Sequence, residues 1–294
     1  MTARTLNYIP PALESVTQAK LATVTGRLQS LESVLVAFSG GVDSALVLRA
    51  ALVALPGRVM AATGLSASYA EEEITEAKSV AAQLGAPHMM VETMELTDPR
   101  YADNTHQRCF FCKSELYTRL LATAAELGYS AVVDGTNADD LGDFRPGLRA
   151  ADQLGVVSPL AEAGMTKQEV RAIAKAWGIP IWNKPAAACL SSRFQYGDPI
   201  TVEKLRQVGA AEKGLRLLGL KGFRVRHHDD IARLEIPPEQ FPFVVEHRSK
   251  ILECVKRAGY GYVTLDLDGF RSGSMNEVLN ARVKSAGLRR PGAD

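Results

Sequence analysis

Two groups of residues in this chain have types and spacings suited to chemistry. The first is Ser39-Gly40-Gly41-Val42-Asp43-Ser44, set between the apolar run Val34-Leu35-Val36-Ala37-Phe38 and an apolar stretch from Ala45 to Leu55. This order predicts a buried strand, a tight turn and a helix. Paired glycines let backbone N–H groups come close to a ligand. Two serine hydroxyls and the positive end of a helix then favour a phosphate. A Walker loop would carry Gly-Lys-Ser/Thr here, with the lysine reaching the outer phosphates. This loop has no lysine and sets Asp43 in the turn. A carboxylate facing a polyphosphate needs a bridging cation, so Mg²⁺ is implied.

The second group is Cys109-Phe110-Phe111-Cys112, with Cys189 far downstream. Two thiols a turn apart, joined by a third, can hold one metal centre and leave a coordination position free. Four readings stand on the residues alone. They are an iron–sulfur cluster whose open iron carries sulfide, structural zinc completed by His106, a redox pair, and plain buried thiols. Cys254 falls in the apolar rhythm of a helix with Ile251 and Val255, and reads as a small core residue.

The elements that must position these groups alternate in type. Arg58 to Leu65 and Met89 to Val91 read as strands, and Ala131 to Gly135 as a strand ending in a turn. Ser68-Tyr69-Ala70-Glu71 has the form of a capping box before a helix that Gly85 ends, and Thr166-Lys167-Gln168-Glu169 caps another stopped by Gly178 and Pro180. Lys113 to Leu127 reads as a helix closed by Gly128, placing the Cys-x-x-Cys just before it. Strand–helix alternation argues for an α/β fold with a doubly wound parallel sheet. Its ligands belong beyond the carboxyl ends of the strands, where Ser39 to Ser44, Asp134 to Asn137 and the residues after Leu65 fall. From about Lys184 the texture changes to strands (222–228, 231–236, 262–267) around helices (202–218, 242–258), a smaller α+β domain. The expected domains are 1–183 and 184–294, with a mobile tail from Ser285 to Asp294.

Composition sets bounds. A chain of 294 residues suits about two domains. With 46% hydrophobic and 23% charged residues it reads as globular, and a net charge of +1 gives no footprint for long nucleic acid. No stretch suits a membrane span, and Met1 to Lys20 lacks a leader pattern. Four cysteines make no disulfide framework. A cytoplasmic location, where thiols stay reduced, is expected.

The loop hexapeptide resembles the pyrophosphate loop (PP-loop) of the ATP pyrophosphatase superfamily, whose HUP-like fold and ATP chemistry are thereby implied. Four further stretches sharpen this: Asp143-Phe144-Arg145-Pro146-Gly147-Leu148-Arg149, Ser191-Ser192-Arg193-Phe194-Gln195-Tyr196-Gly197, Arg224 to Arg233, and Leu265-Asp266-Leu267-Asp268-Gly269-Phe270-Arg271-Ser272-Gly273. In that order, from about Leu31 to Asn276, the chain resembles the LarE family. Its members make the thiolated pyridinium nucleotide of the nickel-pincer cofactor used by lactate racemase.

The resemblance implies adenylation of the carboxylates of a pyridinium dicarboxylate mononucleotide, then replacement of AMP by sulfur. One branch sacrifices a protein cysteine, which would align with Ala188. The other carries a [4Fe-4S] cluster on three cysteines, and the pattern here is similar to that branch, with Cys109, Cys112 and Cys189 as ligands. Cys189 as a sacrificed donor is the alternative. Ser39, Gly40, Gly41, Asp43, Ser44, Asp134 and Thr136 are expected at ATP and Mg²⁺, with Asp139 and Asp140 nearby, and Lys113 at the phosphates. Ser192, Arg193, Arg224 and Arg226 are carried over as ligands of the substrate phosphate; Glu212 and Glu235 are expected as solvated charge, with a further divalent ion the alternative that the resemblance implies. Sulfide or a sulfur donor is the expected partner, in a homo-oligomer that the family makes a hexamer. A transfer-RNA thiolase using the same loop and a non-enzymatic zinc and nucleotide sensor are the competing readings.

Overall fold

The computed structural model describes residues 13–142, 146–185 and 188–271. Asp143 to Arg145, Ala187, Ser272, Gly273 and the tail from Ser285 lie outside the described residues. The first half runs α1 Ser15–Gln29, β1 Val34–Ala37, α2 Val42–Ala54, β2 Val59–Leu65, α3 Glu71–Gln83, β3 His88–Glu92, α4 Pro99–Ala102, α5 Arg108–Leu127 and β4 Ala131–Val133. It continues through α6 Gly147–Gln153, α7 Pro159–Glu162 and α8 Lys167–Ala176. The strands form one parallel sheet in the order β3-β2-β1-β4. From β1 the chain steps out to β2 and β3, then returns to the opposite flank as β4. The crevice between β1 and β4 is therefore the topological switch point, as expected for a doubly wound sheet.

An apolar run suits β1 because both its faces are covered. Val34 and Val36 pack with residues of α1, α2 and α8, while Leu35 faces Leu116, Leu120 and Ala124 of α5. The second half begins with α9 Val202–Leu217, then β5 Arg224–His228, β6 Ile231–Glu235, α10 Phe241–Glu246, α11 Arg248–Arg257 and β7 Tyr262–Leu265. Its sheet has the order β5-β6-β7, with β5–β6 antiparallel and β6–β7 parallel. The helix expected over 242–258 is two helices that meet at His247, whose ring stacks on Phe243.

Three local expectations are corrected. The helix expected from Lys113 begins at Arg108, so Cys109 and Cys112 lie inside the start of α5 and Lys113 is its sixth residue. The Ser68–Glu71 box does not form; Ala70 caps α3 without a side-chain bond. Ser68 is instead engaged elsewhere, its hydroxyl 2.8 Å from that of Tyr101 and its carbonyl accepting from Leu190 N. Cys254 is half-buried, against the bare backbone of Gly214, where a β-carbon would lie 2.1 Å from its sulfur. By contrast, the Thr166–Glu169 box at the start of α8 forms in full.

The core of the second half reaches back across residue 183. Tyr101 belongs to it, and Phe111 and Cys112 pack against it. The Tyr101 hydroxyl lies 2.5 Å from Ser191 Oγ inside that core. Replacing Tyr101 by Phe should therefore lower stability by about 1–3 kcal/mol, since buried Ser68 and Ser191 lose their shared partner. Urea unfolding measures it, and an unchanged midpoint would show that this hydroxyl cluster does not join the halves.

Candidate active site

The loop after β1 is shaped by close backbone approach. Gly40 has φ 71°, and a β-carbon there would meet Ala77 of α3 at 2.9 Å. Ser44 Oγ donates to Gly41 O (3.0 Å) and lies 3.2 Å from Ser39 Oγ, so both hydroxyls stand at the entrance to α2. From the other side of the crevice, a β-carbon on Gly135 would lie 2.6 Å from Ser44 N. The turn after β4 thus presses directly on the loop.

That turn is held by Asp134. Its buried carboxylate accepts from Tyr117 Oη (2.7 Å), Ser158 Oγ (2.8 Å), Thr136 Oγ1 (2.9 Å) and Thr136 N (3.0 Å). Four protein donors occupy it, and Asp134 and Thr136 build the turn with these groups. Asn137 continues the arrangement: its Oδ1 accepts from Asp139 N (3.0 Å), and its Nδ2 donates to Asp43 Oδ1 (3.1 Å).

Asp43 also forms an ion pair with Lys167 Nζ, at the first residue of α8. The cation that the loop lacks in its own sequence therefore arrives from 124 residues away. Lys167 was legible only as part of a capping box; nothing local in the sequence reports its distant partner. Lys113 lies with its ammonium 5.5 Å from the Tyr117 ring centroid, on the same helix that carries the cysteines.

The arginines expected at the substrate are arranged otherwise than an open anion site. Arg193 and Glu212 form a buried two-pronged pair (2.8 and 2.9 Å). The remaining Arg193 nitrogen donates to Ala188 O, Cys189 O and Ser192 Oγ. Arg226, also buried, pairs with Glu235 at 2.7 Å and donates to Ser192 O. Both guanidiniums thus hold the turn that carries Cys189, and Glu212 and Glu235 are committed to them instead of a further metal ion. Arg224 differs. It is half-buried over the Phe270 ring, and burial together with nearby Arg193 and Arg226 lowers its pKa to about 10. Among the described residues it has no ion pair.

Cys189 caps a short 3₁₀ turn, Leu190–Arg193, tied to the first half through Ser68 and Tyr101. This brings it to the start of α5. Crowding by protein pushes the Cys109 and Cys112 thiols up, and Cys189 raises both further by its charge. Cys109 is exposed while Cys112 and Cys189 are half-buried. Two buried polar atoms nearby have no partner among the described residues: Arg108 Nε, beside Cys109, and Glu95 Oε2, beside Cys112.

A single zinc ion would draw its sulfurs to about 2.3 Å from one point. Among the described residues no three His, Cys, Asp or Glu side chains form a group that could hold a metal ion, neither Cys109, Cys112 and Cys189 nor a set completed by His106.

The comparisons with known proteins decide the class. Residues 16–178 match the asparagine synthase family. An uncharacterised protein of Synechocystis sp. is 46% identical over 89% of this chain and 98% of its own. The pyridinium-3,5-bisthiocarboxylic acid mononucleotide synthase of Lactiplantibacillus plantarum is 43% identical over 88% of this chain and 95% of its own. The chain belongs to the LarE family. It is thus a PP-loop ATP-dependent sulfurtransferase. A tRNA-specific 2-thiouridylase of Rickettsia felis matches more distantly, at 29% identity over 69% of this chain and 65% of its own. No helix among the described residues is long and apolar enough to cross a membrane.

The buried pairs carry a pH signature. Burial alone would raise the Glu212 pKa, but Arg193, the Val225 N–H and Arg216 outweigh it and hold the carboxyl below its usual range. A depressed carboxyl stabilises the fold above its unfolded value, and that contribution is lost as pH falls through the folded one. The chain should therefore lose stability progressively below pH 4.5. Glu212→Gln, which strands Arg193 without a counter-charge, should cost about 3–5 kcal/mol at neutral pH and flatten part of the acid decline. Denaturant titrations across pH measure both; parallel pH profiles for the two proteins would remove Glu212 from the explanation.

Proposed function

We propose that this LarE protein adenylates the carboxylates of pyridinium-3,5-dicarboxylic acid mononucleotide and replaces AMP by sulfur, giving the bisthiocarboxylic acid mononucleotide. We further assign its sulfur source to a [4Fe-4S] cluster on Cys109, Cys112 and Cys189. The observation that carries this reading is that one helix bears two of the candidate cysteines and also supports the turn beside the phosphate loop. The first turns of α5 carry Cys109, Cys112 and Lys113, and Tyr117, one turn further, holds the Asp134 turn that packs on Ser44.

The residues divide the work as follows. A carboxylate is a poor acyl donor because oxide is a poor leaving group; as an acyl-adenylate it leaves AMP. Backbone N–H groups of Gly40 and Gly41 and the hydroxyls of Ser39 and Ser44 would hold the departing pyrophosphate. Lys167 neutralises Asp43 in the ligand-free chain. An entering polyphosphate offers that ammonium a stronger anion and frees Asp43 to hold Mg²⁺. Lys113 approaches from the cysteine side and supports the same charge. Arg224 and Ser192 would bind the substrate phosphate, while Arg193 and Arg226 keep the Ser192 turn in place. When bound, the cluster supplies sulfide that iron keeps deprotonated at neutral pH. Ala188, where the sacrificial branch has its cysteine, has no sulfur to give. Substrate and a homo-oligomeric state come from the family resemblance, the cluster from that resemblance and the cysteine spacing, and a cytoplasmic location from the few, unpaired cysteines. The transfer-RNA reading is disfavoured by the lower identity and by a net charge of +1.

Pyrophosphate release upon addition of ATP and the pyridinium dicarboxylate tests the adenylation step, and its absence would end the proposal. Lys167→Met should slow that release about 100-fold; an unchanged rate would remove Lys167 from the phosphate site. Anaerobic purification should yield about four irons per chain, lost in each of Cys109→Ser, Cys112→Ser and Cys189→Ser. Stoichiometric zinc without iron would overturn the cluster assignment while leaving adenylation standing.

A further inference from the structure

Strand β2 carries one polar side chain among apolar neighbours: Thr63, in Val59-Met60-Ala61-Ala62-Thr63. A buried hydroxyl needs a partner, and this one has two, one toward β1 and one toward β3. Its Oγ1 donates to Phe38 O at 2.6 Å and lies 2.8 Å from Nε2 of His88, the first residue of β3. A carbonyl only accepts, so the single hydroxyl proton goes to Phe38. His88 Nε2 must therefore carry a proton and donate to Thr63. Burial and the nearby Lys78 lower the His88 pKa, so near neutral pH the ring is uncharged and keeps its one proton on Nε2. The ring also meets Phe38 edge-on, with centroids 5.9 Å apart.

Phe38 is the residue before the phosphate loop. The ladder between β1 and β2 reaches it through its N–H, which donates to Ala62 O (2.8 Å). Its carbonyl, held by Thr63, belongs to the same planar unit as the N–H of Ser39. In a trans peptide these two groups point in opposite directions. Holding Phe38 O therefore aims Ser39 N–H away from Thr63, toward Ser44 Oγ at 3.3 Å. The rest of the loop is less fixed. Ser44 Oγ donates to Gly41 O, so the Ser39 hydroxyl supplies the proton between the two serines, and Gly41 N donates to Ser39 Oγ (3.3 Å). Hydroxyls can rotate to meet a phosphate; a peptide plane pinned at its carbonyl cannot.

We propose that Thr63, with His88 behind it, is a positioning residue for the phosphate loop: its hydroxyl holds the Phe38 carbonyl so that the Ser39 N–H is preset for the outer phosphates of ATP. The inference rests on the reading that this loop holds the departing pyrophosphate. A donor aimed before the ligand arrives needs no reorganisation when it binds, which is the source of its strength. The role also explains a hydroxyl at a position where valine, of the same shape, would serve packing alone. Neither Thr63 nor His88 has to touch the nucleotide.

The test compares wild type, Thr63→Val and Thr63→Ser by calorimetry with Mg²⁺ and inorganic pyrophosphate, with Mg²⁺ and ATP, and with AMP, alongside melting temperatures. Thr63→Val should bind pyrophosphate and ATP about 10-fold more weakly. AMP lacks the two outer phosphates and should bind as it does to wild type. Thr63→Ser, which keeps the hydroxyl, should recover most of the affinity. His88→Phe keeps a ring against Phe38 but removes the donor to Thr63, and should weaken pyrophosphate binding about 3-fold. Unchanged pyrophosphate affinity in Thr63→Val, or in His88→Phe should the valine variant not fold, would overturn the inference and leave the loop reading intact. So would an equal loss of AMP binding, the mark of a merely structural defect, or a serine variant no better than valine. Wild type with no affinity for pyrophosphate would overturn both.

Discussion

Everything at the sulfur site depends on holding one turn, the residues from Cys189 to Arg193, against an element more than 75 positions earlier. The contact is made by hydroxyls in an apolar setting: Tyr101 meets Ser191 and Ser68 inside the second core, and Leu190 N donates to Ser68 O. Ser68 and Tyr101 satisfy each other within the first half, and the buried Ser191 hydroxyl finds its partners only when both halves of the chain are in place. The same residue, Ser68, gives up its expected role as a helix cap to take part. Local propensity yields here to a long-range bond, and α3 starts without a side-chain cap.

The second device is the distribution of charge. Arg193 and Arg226 are recognisable from sequence as arginines near a cysteine, and the obvious expectation is that they meet a ligand. In the structure each faces a buried glutamate and spends further donors on the carbonyls of Ala188, Cys189 and Ser192. Such pairs add little net stability over apolar packing, but they specify geometry, since neither charge tolerates losing the other. The turn is consequently rigid where the chemistry needs it. Arg224, whose register partner on β6 is Glu235, is displaced from that carboxylate by Arg226 and Arg233, which both reach it. Burial, with Arg193 and Arg226 close by, lowers the Arg224 pKa to about 10.

Much of the fold was legible because its signals are local. An apolar run, a glycine pair and a helix pattern give β1, the loop and α2; the capping box of α8 and the glycine stop of α5 also form as the sequence suggests. The start of α5 was misjudged because Cys-Phe-Phe-Cys carries no capping residue, and burial of Phe110 and Phe111 on two different cores extends the helix backwards. The candidate site was legible only as separate pieces. Lys167 acts through a partner that no sequence spacing reports.

The absence of a lysine from the loop and its presence at position 167 have a shared explanation. A lysine within the turn would be fixed to the phosphates by the backbone of α2. On α8, it belongs to an element whose start is tied to the Asp139 side of the crevice through Lys167 N and Asp139 Oδ2 (2.9 Å). Asp43 is thereby bound at rest by two groups, Lys167 and Asn137, that come from the far side of the switch point. The Asp43 carboxylate is thereby paired with an ammonium and an amide from across the sheet. A polyphosphate with its cation can open that pair because it satisfies both members at once, the ammonium by phosphate oxygens and the carboxylate by the metal. Either ligand alone would satisfy only one, so the arrangement favours the complex of the two over each separately.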